Sequence, residues 1–294
     1  MNSADLHVYY DELKSTNEIL ENYILESGNN FIVLSSPCTS VTEPKKSRVA
    51  YFAQHLLSDF KIGQIFQRLI SKSFYNKNDK LKLVFRLFSK KFGSLEKISC
   101  PGNSELLEKF YNVKKIKLWC WINPKSGKSK SDISLLENQE FYGIKFHMFW
   151  HSLTIKDIRN FLHDNTNIQK PIYLVLDWVD IHELERLFRE FNHLTWIIGY
   201  GGFPVTRNAL GVISKLDNIY IDMASFHISR KWIKEISLKV DEKKILYSTD
   251  FPYNFDWGSS RKFSTKLFDN RLSLNGINVL SIRENSFNLD KYER

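Results

Sequence analysis

From Pro171 onward, short runs of consecutive apolar residues alternate with stretches in which apolar residues recur every three or four positions. Pro171–Leu176 is a continuous apolar run bounded by proline and Asp177, the pattern of a strand buried on both faces. Leu184, Leu187, Phe188 and Phe191 follow at helical spacing, with Glu183, Glu185, Arg186 and Arg189 between them. Leu194–Gly199 is the next β-type run, closed by Gly201-Gly202. A helix over 205–216, a strand over 218–223, a helix over 230–240 and a strand over 244–250 complete this half. The first half keeps the same rhythm. Strands are predicted at 5–10, 30–35, 115–122 and 142–148, with helices at 15–25, 104–111 and 154–162; Ser15 or Thr16 caps the first helix. Strand and helix in alternation with short links imply parallel strands joined by right-handed crossovers. Eight such units predict an α/β fold, a (β/α)8 TIM barrel, as one domain over 1–294.

One segment interrupts this rhythm after the second strand. Between 41 and 102, Phe52, Leu56, Phe60, Phe66, Leu69 and Phe74 recur at helical intervals, as do Leu81, Val84, Phe85 and Phe88. The pattern predicts two or three amphipathic helices forming a lid, because loops that leave the C-terminal ends of barrel strands sit over the active site. Charge sharpens this picture. The chain carries a net +9, and residues 45–100 hold thirteen lysines and arginines against three acids (Asp59, Asp79 and Glu96). A basic lid over a barrel mouth attracts an acidic small molecule or peptide; the same lysines could also be a solvated helical face. No nucleic-acid motif accompanies them, so nucleic acid is not the expected partner.

Hydrophobic residues at 43% and charged residues at 26% are ordinary for a globular protein. No apolar stretch approaches the roughly 18–20 residues needed to span a bilayer. Met1–Asp5 has no basic region leading into an apolar run, so no signal peptide is expected. Cys38, Cys100 and Cys120 lie far apart, which points to buried thiols rather than a disulfide framework or metal cluster. A cytoplasmic location is the simplest expectation, and the oligomeric state is open.

The strand ends carry recognisable short motifs. Asp5-Leu6-His7-Val8-Tyr9 is similar to a His-x-His strand, and Trp121-Ile122-Asn123-Pro124 to a strand ending in Asn-Pro. Gly143-Ile144-Lys145-Phe146-His147 matches a Gly-Ile-Lys-x-His strand, and Gly199-Tyr200-Gly201-Gly202 is similar to Ala-His-Gly-Gly. Ser248-Thr249-Asp250-Phe251-Pro252 matches a Gly-Ser/Thr-Asp-Phe/Tyr-Pro strand, and Asn285 is followed by Phe287 and Leu289 in the last helix. In this order and at barrel spacing, the motifs resemble the amidohydrolase-related family of TIM-barrel hydrolases and decarboxylases, over nearly the whole chain.

The resemblance implies histidines at the ends of strands one, five and six binding a divalent cation, whose bound water then ionises near neutral pH, with a strand-eight Asp taking the proton. Here His7 and Asp250 are retained. Tyr9 and Tyr200 stand where two histidines would be, and the end of strand five offers Val175 or Asp177 and no histidine. A neutral phenol, which ionises near 10, is a poor ligand for a divalent cation. The expectation is a degenerate site with no tightly bound metal and no cofactor, a weakly held Zn²⁺ being the exception that His7, the carboxylates and His147 or His151 could support.

Without a metal, Asp250 remains a candidate general base, with His7 as the second catalytic candidate; the resemblance also includes members that hydrolyse activated esters or lactones without metal. Lys145 and His147 lie two apart on one strand and share a face, so either both line the interior or both pack on helices. A buried lysine needs a partner, which favours the interior, where the pair would bind a ligand carboxylate or phosphate. Asp177 either caps the following helix or lines the site. Tyr9 and Tyr200 either fill the former metal space or donate to a developing oxyanion. His151 is either a solvated loop residue or a contributor, whereas His163, His182 and His193 fall on helix surfaces. Two functions follow. One is hydrolysis of an amide, ester or lactone bond of an anionic substrate, with decarboxylation as a variant. The other is a retired barrel that binds an acidic partner through its lid.

Overall fold

A computed structural model describes residues 3–10, 17–35, 102–151, 153–177, 179–202, 205–224, 230–250, 269–270, 272–274 and 276–289. Lid segment 41–101, the caps Ser15 and Thr16, and Phe251-Pro252 lie outside the described residues, as do the side chains of His7 and Tyr9. The elements are β1 (Ala4–Tyr9), α1 (Asn17–Ser27), β2 (Phe31–Ser35), α2 (Asn103–Phe110), β3 (Ile116–Trp121), α3 (Ser129–Leu135), β4 (Phe141–His147) and the single turn α4 (Met148–His151). They continue with α5 (Ile155–Asp164), β5 (Ile172–Val175), α6 (Ile181–Glu190), β6 (Trp196–Ile198), α7 (Thr206–Ile213), β7 (Ile219–Asp222), α8 (Arg230–Lys239), β8 (Ile245–Leu246) and α9 (Val279–Leu289).

The eight strands pair in sequence order, each parallel to the next. The sheet bends back on itself, and the Leu6 amide donates to the Tyr247 carbonyl at 3.3 Å, linking the last strand to the first. The result is the (β/α)8 TIM barrel that the alternation predicts. Strand alternation divides the apolar residues into two sets. Leu6, Val33, Trp119, Tyr173, Val175 and Leu246 belong to the inner packing. Leu34, Cys120, Phe146, Leu174, Ile198 and Ile221 face the surrounding helices. Cys120 is a buried free thiol.

The helices are set by local chemistry as much as by packing. Thr154 opens α5 with a reciprocal capping box to Asp157. Asp180 caps α6 by accepting from the amides of His182 and Glu183. Strands β5 to β8 are shorter than the apolar runs that predicted them, because a run stays buried beyond the last ladder bond. The clearest case is β8, where only Ile245 and Leu246 are regular and Tyr247–Asp250 continue as irregular, buried backbone. Among the described residues no helix is long and apolar enough to cross a membrane.

Candidate active site

The C-terminal strand ends converge polar groups that the two halves of the barrel supply separately. On β4, the inward positions are Lys145 and His147, both buried, while Ile144 and Phe146 pack outward. Of the two placements open for this pair, the interior one is found. The Lys145 Nζ donates to Ser35 Oγ at the end of β2 at 2.9 Å, and lies over the rings of Trp121 at 4.7 Å and Tyr173 at 5.3 Å. His147 stacks on Trp121, with ring centroids 5.4 Å apart and planes 8° from parallel. His151, on the turn α4, meets the same indole edge-on at 5.7 Å. It is buried, and neither ring nitrogen has a hydrogen-bond partner among the described residues, so it is no solvated loop residue.

Across the barrel stand two carboxylates joined through one tyrosine. Asp222 ends β7, and its Oδ1 accepts from the backbone amides of Tyr200 at 2.7 Å and Ala224 at 3.2 Å; the Tyr173 hydroxyl donates to Oδ2. Asp250 follows β8, and its Oδ1 accepts from the Tyr200 hydroxyl at 3.0 Å. Tyr200 thus holds one carboxylate with its backbone and the other with its side chain. Both Tyr200 and Asp250 have left-handed backbone, with φ of 54° and 60°. Such angles are uncommon for residues with a Cβ, and they recur where surrounding structure fixes a functional side chain. Beneath Asp250, the Thr249 amide and hydroxyl donate to Asp5 on β1, at 3.1 and 2.6 Å, and the Tyr23 hydroxyl of α1 also donates to Asp5.

Burial dominates the electrostatics. Lys145 is pulled down to about 7 by loss of water, against the opposing pull of Asp250 and Asp222. Asp222 is pushed up to about 7 by burial, although its donors from Tyr173, Tyr200 and Ala224 favour the ionised form. Burial also pushes Asp250 well above the usual carboxyl range, opposed by the Tyr200 bond and Lys145. His147 is held well below the usual imidazole range by burial, Lys145 and His151, and His151 is lowered to about 4 by burial. Both histidines are therefore neutral near pH 7.

These shifts have consequences for stability. Between roughly 4, where an unfolded carboxyl ionises, and about 7, the folded chain retains a proton on Asp222 that the unfolded chain has lost. Stability from this group therefore falls as pH rises through that window, and Asp250 acts in the same sense. Above about 7 the sign reverses for Lys145, because the unfolded chain keeps its proton up to roughly 10 and the folded chain does not. Urea denaturation at a series of pH values should show a shallower fall over the lower window in Asp222→Asn than in the wild type. Identical slopes would mean that Asp222 is ionised throughout.

Of the residues that the sequence singled out, the fold brings together Lys145, His147, Tyr200 and Asp250. Asp177 lies two residues beyond β5 and is half-buried; the helix cap is Asp180, so the capping alternative for Asp177 is removed. Val175, not Asp177, is the last regular inward residue of β5. His7 and Tyr9 are on β1, which carries an irregularity in register between Asp5 and Val8. Sequence reasoning missed Asp222, Asp5, Ser35, Trp121 and Tyr173. Asp222 had a readable signal, a carboxylate closing an apolar strand run just as Asp250 does. The two aromatic residues had none, since inward and outward strand positions are equally apolar here.

No family model and no curated protein matches the sequence. Solved structures do. A 2,6-dihydroxybenzoate decarboxylase from Rhizobium superposes with a TM-score of 0.53 at 12% identity, covering 100% of both chains. A structure from Acinetobacter baumannii assigned as a 2-pyrone-4,6-dicarboxylic acid hydrolase, with citric acid bound, gives 0.56 at 12% identity over 99% of this chain and 100% of that one. Amidohydrolase 2 from Bifidobacterium longum subsp. infantis gives 0.54 at 13% identity over 98% and 99%. The chain has their fold. At this identity the likeness extends to the (β/α)8 barrel and not to its chemistry.

The divalent cation that the amidohydrolase resemblance implies finds no matching donor set among the described residues. No three His, Cys, Asp or Glu side chains there are grouped to hold one. Asp250 and Asp222 instead share the field of the Lys145 amine, whose positive form would oppose a cation. What the described groups can do is bind a polar ligand and move a proton at the Asp250 carboxyl.

Proposed function

We propose that this protein is a cytoplasmic hydrolase that cleaves an amide, ester or lactone bond of an anionic substrate by proton transfer at Asp250, without a tightly bound metal. The observation that carries this reading is the placement of Asp250. Its carboxyl is buried at the strand-eight end, held by Tyr200, and set in the field of Lys145. A carboxyl whose pKa is raised by burial is suited to general base and acid work nearer neutral pH than a solvated one. Lys145, lowered to about 7, would in its protonated form attract the substrate's negative charge and stabilise the oxyanion that forms when water adds to the carbonyl. Tyr200 would orient Asp250 and could donate a proton to the leaving group. His7 and Tyr9, on the first strand, would line the same pocket beside His147 and Asp177.

Two of the fold neighbours support an anionic substrate by what they are named for or hold, namely 2,6-dihydroxybenzoate and citric acid. The decarboxylase among them keeps loss of CO₂ open as a variant of the same carboxyl chemistry. Screening purified protein against a panel of activated esters and lactones bearing a carboxylate tests the reading. Asp250→Asn is expected to lower kcat by roughly 10²–10⁴-fold while leaving the far-UV circular dichroism unchanged. Hydrolysis that survives this substitution would remove Asp250 from the mechanism.

A further inference from the structure

Lys145 is set where a nucleophilic amine would be set. It is fully buried inside the barrel, one inward position short of the end of β4. Two aromatic rings flank its Nζ, the Ser35 hydroxyl accepts from it, and two buried carboxyl groups share its electrostatic surroundings. An ammonium used only for ion pairing gains nothing from such depth, because taking it out of water costs more than a partly shielded pair returns. A depth of this kind favours the uncharged amine, which is the form that attacks carbonyl carbon.

We propose that Lys145 is a covalent site for small ketones and aldehydes, which it captures as an imine with the Asp250 carboxyl as proton donor. In the first step the nitrogen lone pair forms a C–N bond, and the carbonyl π pair moves to oxygen, which takes a proton from the nitrogen. The C–O bond then breaks. The hydroxyl leaves as water with the proton of the Asp250 carboxyl, and the remaining N–H stays on a protonated imine. An uncharged amine and an uncharged carboxyl are thereby exchanged for an iminium and a carboxylate in one buried cluster, so the net charge of the site is unchanged. Asp222, held by the Tyr173 hydroxyl and the amides of Tyr200 and Ala224, keeps the surroundings in place while this happens. The inference goes beyond hydrolysis and does not depend on it, since it requires only that a carbonyl compound reach the barrel interior.

The test uses the full chain with pyruvate, and in parallel with acetaldehyde, in the presence of sodium cyanoborohydride near neutral pH. Proteolysis and mass spectrometry then locate the reduced adducts. The expected result is one adduct on the Lys145 peptide, formed at least about tenfold faster than on the same peptide in the urea-unfolded chain. Lys145→Met, with an unchanged circular dichroism spectrum, should lose that adduct and keep any slow surface labelling. Should Lys145→Met fail to fold, the comparison of folded and unfolded wild type decides alone. Adducts confined to surface lysines with both probes, or Lys145 labelled no faster folded than unfolded, would overturn the proposal. Loss of hydrolysis in Asp250→Asn reports on the hydrolytic reading, whereas absence of the adduct in wild type reports on the imine, so the two fail separately.

Discussion

Gly143→Ala is expected to leave little folded protein. Gly143 sits inside β4, and a Cβ there would stand 2.3 Å from the Pro171 carbonyl oxygen and 2.6 Å from the edge of the Trp119 ring. Neither neighbour can withdraw cheaply. The Pro171 carbonyl accepts from the Ile144 amide at 2.9 Å, so moving it opens the β4–β5 ladder. The Trp119 indole is anchored by its Nε1, which donates to the Leu6 carbonyl at 2.7 Å, and its ring packs against Tyr142 and Tyr173. Overpacking a core typically costs about 1–3 kcal/mol, and a clash with backbone costs more, against a total stability of about 5–15 kcal/mol. Soluble yield and the urea midpoint of whatever protein remains measure the effect. A midpoint equal to wild type would show that β4 and β5 are spaced more widely than described.

Asp222→Ala is the second large effect, because it removes the acceptor of three buried or partly buried donors at once. The amides of Tyr200 and Ala224 and the Tyr173 hydroxyl all depend on that carboxylate. Unpaired buried donors cost about 1–3 kcal/mol each, offset in part because a buried carboxyl is no longer desolvated; a net loss of about 3–5 kcal/mol is expected. The loss should reach the site as well, since Tyr200 is held at Asp222 by its amide and at Asp250 by its hydroxyl. Asp222→Asn keeps an oxygen for both amides and should therefore lose well under half as much in urea denaturation. Equal losses in the two variants would mean that the hydrogen bonds at Asp222 do not hold the turn after β6.

The likeness of Gly199 to Gly143 shows what the short motifs encode. A Cβ at Gly199 would stand 2.8 Å from the Tyr173 ring and hydroxyl, in the space from which that hydroxyl reaches Asp222. Both motif glycines are therefore clearance for aromatic side chains inside the barrel, Trp119 at Gly143 and Tyr173 at Gly199, and Tyr173 in turn donates to Asp222 and flanks Lys145. The motif order was readable in the sequence, but the clearance it provides was not, because it involves residues some 25 positions away on a neighbouring strand.

The sequence by itself determined the alternation of strand and helix, hence the barrel, since each apolar run must be buried and short links permit only parallel neighbours. It also determined that Asp250, Tyr200, Lys145 and His147 stand at or near strand ends, which in this architecture converge on one mouth. Only the tertiary structure decided which way the Lys145 and His147 face points, since in a strand covered on both sides neither face is turned to solvent and a polar face can pack inward or against helices. It also decided that Asp222 is the second carboxyl beside Lys145, and that Asp180 rather than Asp177 caps α6. The shifts in Lys145, Asp222 and Asp250 likewise belong to the folded state, because desolvation comes from neighbours that the chain assembles only when the barrel closes.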